Sequence, residues 1–181
     1  LKFEPGAGAK PRRIVVYGVT GSGKTTLARR LSEASGIPLF EVDELCWDPE
    51  WQQVPLDTQR ERISQIVSQD EWIIDSMYGT WLDIPLPRCD LIIGLDYPRL
   101  QSFTHLLKRT FVGIITEEKR CNGNIETFAH ALGKDSIIAW HFRSFANKRK
   151  RLRLWEGDGE SPPVLIITSS SSLPSVISLF G

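Results

Sequence analysis

Net charge, cysteine and long apolar runs are all scarce in this chain of 181 residues. Lys and Arg together number 22, as do Asp and Glu, so no global field draws the protein toward nucleic acid or an anionic membrane. Nucleic acid is therefore not an expected partner, although a local basic surface stays open. Cys46, Cys89 and Cys121 form no C-x-x-C pair and have no histidine at ligand spacing. That excludes a disulfide framework or zinc site and predicts a reducing, cytoplasmic setting. His105, His130 and His141 are too scattered to group around a metal. The longest apolar stretches are strand-length, so none predicts a membrane span. An N-K-x-D guanine motif is also missing, since Asn147-Lys148 runs on into Arg149-Lys150. Residues 1–11 contain Gly6, Gly8 and two prolines but no apolar signal-peptide core. They read as a flexible leader to a single domain at 12–181.

What is present is concentrated. Gly18-Val19-Thr20-Gly21-Ser22-Gly23-Lys24-Thr25-Thr26 is a complete G-x-x-x-x-G-K-[ST] phosphate-binding loop. Its glycines let successive backbone N–H groups turn inward around a polyphosphate. In this reading Gly18, Thr20, Gly21, Ser22, Gly23, Lys24, Thr25 and Thr26 hold the phosphates of ATP, Lys24 reaches the outer ones, and the Thr25 hydroxyl holds Mg²⁺. The flanks agree with this. Residues 13–17 form a β-branched run that predicts a buried strand, and Leu27, Ala28, Leu31 and Ala34 stripe a helix ending at Gly36. A strand thus feeds a helix N-terminus, where free N–H groups and the dipole favour anions.

Four further strands are predicted at 38–43, 72–75, 91–96 and 164–168, alternating with helices. Asp57 is expected to cap one helix, with Ile63, Ile66 and Val67 inward. Pro98 is expected to open another, with Leu100, Phe103 and Leu107 on one face. Residues 111–124 read as irregular, helix resumes around Ile125, Phe128 and Leu132, and a short helix closes the chain at 174–180. The serine run 169–172 reads as a turn. This alternation predicts an α/β fold with a largely parallel sheet. Ligands bind outside the carboxyl ends of such strands, so Gly18, Asp43, Asp75 and Asp96 should gather on one edge.

Phosphoryl transfer needs a carboxylate near the metal, and Asp75 is preferred to Asp96, which can instead cap the next helix. Asp43 can orient or deprotonate an acceptor hydroxyl, or serve as a cap. Arg109, Lys119 and Arg120 can supply cations that close over the transferring group. The basic run from Arg143 through Lys148, Arg149, Lys150, Arg151 and Arg153 reads as a solvated helix face, with an anion- or nucleic-acid-binding surface as the alternative. Trp47 and Trp51 can stack on a ring or cover the core edge.

These residues, in this order, resemble the P-loop kinases of the adenylate-kinase-like group, and among them the DNA topology modulation proteins. The shared pattern includes the P-loop, Asp43-Glu44-Leu45-Cys46-Trp47, Trp72-Ile73-Ile74-Asp75, Cys89 through Arg99, and Leu107-Lys108-Arg109. The resemblance implies a three-layer P-loop NTPase fold with a five-stranded parallel sheet, order 2-3-1-4-5, helices on both faces and a short lid at about 110–125. It implies a metal-side role for Asp75, a lid-side catalytic role for Arg109, and acceptor-side roles for Asp43 and Arg88, with Trp47 beside them. Ser76-Met77 stands where the family usually has Gly-Asn, which leaves the acceptor open. The lid carries fewer arginines than that of a full nucleoside-monophosphate kinase. The expected function is ATP- and Mg²⁺-dependent phosphoryl transfer to a nucleotide-like small molecule. The alternatives are a kinase of a small hydroxylated metabolite and a non-catalytic ATP-binding regulator that contacts nucleic acid.

Overall fold

Alternation along one short strand organises both faces of the sheet. In β1 (Arg13–Gly18), Ile14 and Val16 pack with Leu27, Ala28 and Leu31, while Val15 and Tyr17 pack with Ile63, Ile66 and Leu152 on the opposite face. A computed structural model describes residues 10–128, 131, 133 and 136–181. Most of the expected leader at 1–11, together with His130 and Leu132, lies outside the described residues.

β1 is central. The other sheet strands are β2 (Leu39–Phe40), β5 (Trp72–Ile74), β6 (Leu91–Leu95) and β9 (Val164–Ile167), and the lateral order is β2-β5-β1-β6-β9 with every pairing parallel. Counting only these five strands along the chain, the order is 2-3-1-4-5. On one face lie α1 (Lys24–Ser35) and α6 (Leu173–Ile177); on the other lie α3 (Leu56–Val67) and α5 (Ile137–Gly157). Gly36, at φ 76°, stops α1 by donating its N–H to the Ser32 carbonyl. Among the described residues no helix is long and apolar enough to cross a membrane.

Several local expectations are corrected. The second strand is only Leu39–Phe40, and Asp43 lies beyond it in the short helix α2 (Val42–Cys46). A two-stranded ribbon follows, β3 (Trp47–Asp48) paired antiparallel with β4 (Gln52–Gln53). Pro55, not Asp57, occupies the cap position of α3, and Asp57 lies in the first turn.

Helix α4 runs Arg99–Ile115, into the segment read as irregular, and its buried face is Ser102, Leu106, Thr110 and Gly113. Leu100, expected inward, is 73% exposed. The reason is proximity: a Cβ built at Gly21 would lie 2.3 Å from the Ser102 carbonyl oxygen and 2.8 Å from Leu106 Cβ, so the bare Gly21 lets the Ser102–Leu106 face of α4 approach the phosphate loop and turns Leu100 outward. A hairpin, β7 (Lys119–Arg120) with β8 (Asn124–Ile125), follows α4, so Ile125 is strand where helix was expected.

Gly94 in β6 has a spatial role. A Cβ there would stand 2.4 Å from Leu152 Cδ1, so α5 lies against the sheet only because the side chain is absent. Gly94→Ala should cost about 1–3 kcal/mol through overpacking. Urea titration of the single variants and the Gly94→Ala/Leu152→Ala pair should show that the second change absorbs part of the first. Strict additivity would remove the contact from the explanation.

Candidate active site

The parallel register brings the carboxyl ends of β1, β5 and β6 to one edge, with Gly18 opposite Leu95 and Val15 opposite Ile74. From Gly18 the chain turns through Gly21 and Gly23, at φ 82° and 88°, into α1. Gly23 occupies the cap position without a side-chain bond, and the first turn holds no acidic residue, so its N–H groups lack a capping carboxylate or hydroxyl. That opening suits a polyphosphate. The Val19 carbonyl accepts from the Ser22 hydroxyl at 2.8 Å and from the Lys24 ammonium at 3.1 Å, which holds the loop's curve. Burial lowers the Lys24 pKa, opposed by the nearby carboxylates of Asp75 and Asp43.

Asp75 follows β5 directly and is 4% exposed. Its Oδ2 accepts from the Thr25 hydroxyl at 2.5 Å and its Oδ1 from the Val42 N–H at 2.9 Å. Desolvation raises its pKa, and these two bonds oppose the rise. Among the described residues no cluster of three or more His, Cys, Asp or Glu forms a metal cage. A hydroxyl and one carboxylate beside a phosphate cradle nevertheless suit Mg²⁺, which keeps waters and phosphate oxygens among its ligands.

The second Asp75 bond anchors the start of α2, which carries Asp43. Tyr78 donates its hydroxyl proton to Asp43 Oδ1 at 2.6 Å, and Trp47 Nε1 donates to the Tyr78 oxygen at 3.2 Å. Burial and then the Asp43 charge raise the Tyr78 pKa, so it remains a donor. Tyr78 stacks on Trp81, whose indole N–H donates to Gln59. Sequence reading named Asp43 and Trp47 but gave Tyr78, which joins them, no role.

Arg109, on the exposed side of α4, is coupled electrostatically to Asp43. Partial desolvation and then Arg120 lower its pKa, while Asp43 raises it. Arg120 is held by Glu118 at 2.5 Å and lies against Gly113. The hairpin docks over α2 and the ribbon. Asn122 donates to the carbonyls of Glu44 and Trp47, at 2.7 and 2.8 Å. Asn124, 4% exposed, donates to the Asp48 carbonyl and accepts from the Trp51 N–H.

Two expected residues are not brought here. Arg88 precedes β6, at the end of the sheet opposite the phosphate loop, and donates to the Ser68 carbonyl at 3.3 Å. Asp96 is at the correct edge but is neither metal-facing nor a cap. It pairs with Arg149 at 2.8 Å and with Arg153, tying α5 to the end of β6.

The basic run is therefore not one solvated face. His141 is fully buried, and its Nδ1 donates to the Thr20 carbonyl at 3.0 Å. Lys148 Nζ lies 3.5 Å from the Gly18 carbonyl and 5.9 Å from the centre of the Tyr17 ring. The signal was spacing: His141, Phe145, Leu152 and Trp155 are buried on α5, and Lys148 occupies the same stripe. A shallow pocket beside α1, lined by Gly23, Thr26, Arg30, Tyr97, His105 and Ser170, continues outward from the loop.

No protein-family profile matches the chain, and no curated protein sequence matches it. Solved structures do. A gluconokinase from Sinorhizobium meliloti 1021 superposes with a TM-score of 0.55 at 17% identity, over 93% of this chain and 88% of that one. A shikimate kinase from Bacteroides thetaiotaomicron superposes with a TM-score of 0.56 at 13% identity, over 94% and 96%. The chain shares the fold of these two kinases. At these identities the likeness is one of architecture.

Asn124→Ala should free the hairpin, since it leaves the Asp48 carbonyl and the Trp51 N–H without their partner, at about 1–3 kcal/mol. Amide exchange should accelerate across 119–125 and 47–53 while β1 and β5 stay protected. Uniform acceleration would instead mean that Asn124 supports the whole fold.

Proposed function

We propose that the protein is an ATP- and Mg²⁺-dependent kinase that phosphorylates a hydroxyl group of a small acceptor. The bond pair at Asp75 carries this reading. One carboxylate joins Thr25 of the phosphate loop to the N–H that starts α2, so donor and acceptor sides share one support. The uncapped α1 terminus and Lys24 would hold the triphosphate, and Thr25 with Asp75 would hold Mg²⁺, which when bound supplies charge neutralisation at the phosphates. Asp43, one oxygen already engaged by Tyr78, keeps its other oxygen to orient an acceptor hydroxyl and take its proton. Arg109, coupled to Asp43 and to Arg120, would supply positive charge to the transferring group. The docked hairpin serves as the lid and would exclude water from the transfer.

Between the two acceptor classes, the geometry favours a hydroxylated metabolite over a nucleotide. A carboxylate aimed at the acceptor suits a hydroxyl that must lose a proton, whereas a phosphate acceptor is already anionic. The hairpin closes directly on the carbonyls of Glu44, Trp47 and Asp48. The structural neighbours act by name on gluconate and shikimate, which are small hydroxylated acids. Arg151, against Gly79 in the loop after Asp75, offers a cation for such an acid group. A DNA-contacting role, suggested by the name of the topology modulation family, loses support because Arg149 and Arg153 are engaged by Asp96 and Lys148 turns inward. The bonded placement of Arg88 likewise withdraws it from the acceptor set.

The test is a phosphate-transfer panel with MgATP against polyhydroxy acids, sugars and nucleoside monophosphates. Turnover is expected in the first group. Lys24→Ala should weaken nucleotide binding on the order of a hundredfold or more, through loss of charged hydrogen bonds. Asp43→Ala should leave nucleotide affinity near wild type and reduce transfer by roughly 10²–10⁴-fold. Transfer confined to nucleoside monophosphates would reject the hydroxyl reading, and MgATP binding without any transfer would reject the kinase reading.

A further inference from the structure

The inward stripe of α5 contains a cation where packing calls for an apolar side chain. His141, Phe145, Lys148, Leu152 and Trp155 follow each other at spacings of four and three, and the other four are buried against the sheet or the phosphate loop. Lys148 is half-buried, and its contacts are a long bond to the Gly18 carbonyl and the face of Tyr17. Among the described residues no carboxylate forms an ion pair with it.

The charged groups around it come from each neighbouring element. Lys24 on α1 repels it, Arg151 one turn along α5 repels it, and Asp43 on α2 attracts it more weakly than burial and Lys24 disfavour it. Two ammonium groups lie at one glycine-rich loop, and Asp43, the carboxylate coupled to both, does not offset what burial and their mutual repulsion cost Lys148. A phosphate between them would supply that offset.

We propose that Lys148 is a binding group for the outer phosphates of the nucleotide, and that nucleotide binding takes up a proton at this ammonium. The inference rests on the donor half of the proposed function and is independent of the acceptor. Desolvation, with Lys24 next, brings the Lys148 pKa down to about 7, so near neutral pH a large fraction of the free protein carries it uncharged. A phosphate dianion alongside restores the preference for the charged form. Binding near neutral pH is then coupled to uptake of about half a proton, and affinity for the phosphates falls as pH rises through the free-state value. Arginine at this position would stay charged throughout and break the coupling without removing the cation.

The experiment is titration calorimetry of the full chain with Mg²⁺ and ATPγS at pH 7 to 7.5, in phosphate-free buffers of different ionisation enthalpy, with ADP as a second probe. The observed heat should depend on the buffer in the direction of proton uptake, by about half a proton more in wild type than in Lys148→Arg. Subtracting the arginine variant removes protons that belong to the nucleotide and Mg²⁺. Lys148→Arg should retain affinity within a few-fold, and Lys148→Met should lose on the order of tenfold for ATPγS and less for ADP. Lys148→Met should still melt cooperatively, because an apolar side chain suits the stripe.

Equal proton uptake in wild type and Lys148→Arg, or unchanged affinity in Lys148→Met, would overturn the inference while leaving the phosphate-loop reading intact. No binding of either nucleotide to wild type would remove both.

Discussion

A single buried carboxylate sets the geometry on which the site depends. Asp75 has left water almost completely, and burial without compensation would drive it toward the neutral form. Its two bonds, to the Thr25 hydroxyl and the Val42 N–H, offset part of that cost and tie three elements together. The end of β5, the first turn of α1 and the first turn of α2 move as one piece as a result. Because β5 adjoins β1 in parallel register, that piece lies at the mouth of the phosphate loop and cannot slide along the sheet edge.

The other side of the loop is fixed by helices brought unusually close. Gly21 admits Ser102 and Leu106 of α4 to the loop, and Gly94 admits Leu152 of α5 to the sheet. This proximity lets His141 reach Thr20 and Lys148 reach Gly18. The phosphate loop is thus held by contacts from α4 and by polar contacts from α5. Arg149 and Arg153, clamped on Asp96, hold α5 in the register that aims Lys148. A run of six basic residues therefore divides into ties, inward groups and solvated positions according to helical phase.

The sheet, and the loop, helix and carboxylate at its edge that form the donor half of the candidate site, were legible because each rests on local pattern. A β-branched run, a G-x-x-x-x-G-K-[ST] loop and an apolar helix stripe dictate their structures within about twenty residues, and Asp75 follows from the rule of strand carboxyl ends. The acceptor half was partly legible. Asp43 and Trp47 were named, but the tyrosine that joins them came from a segment without periodicity. Arg88 was carried over by family resemblance alone, and the direction of β6 puts it at the far end of the sheet. The buried face of α4 was misassigned because Leu100 points to solvent while Ser102, Leu106, Thr110 and Gly113 turn inward, set by the close approach to Gly21. Local propensity does not encode that choice, since the partner surface is the loop some eighty residues earlier.

The charges at the shared edge bear on why the chain as a whole is neutral. Lys24, Lys148, Arg109 and Arg151 face Asp43 and Asp75, so cations outnumber carboxylates locally while the full sequence balances. A magnesium-bound nucleoside triphosphate carries net negative charge of the sign and scale that this excess requires. An excess fixed in place would repel itself throughout the life of the free protein. Burial of Lys148 offers a way to relax it, since an ammonium that is desolvated and repelled by Lys24 can shed its proton until phosphate arrives. On the proposed reading the site is then fully charged only when its ligand is bound. The electrostatic cost of assembling four cations is met by the nucleotide, not by the fold.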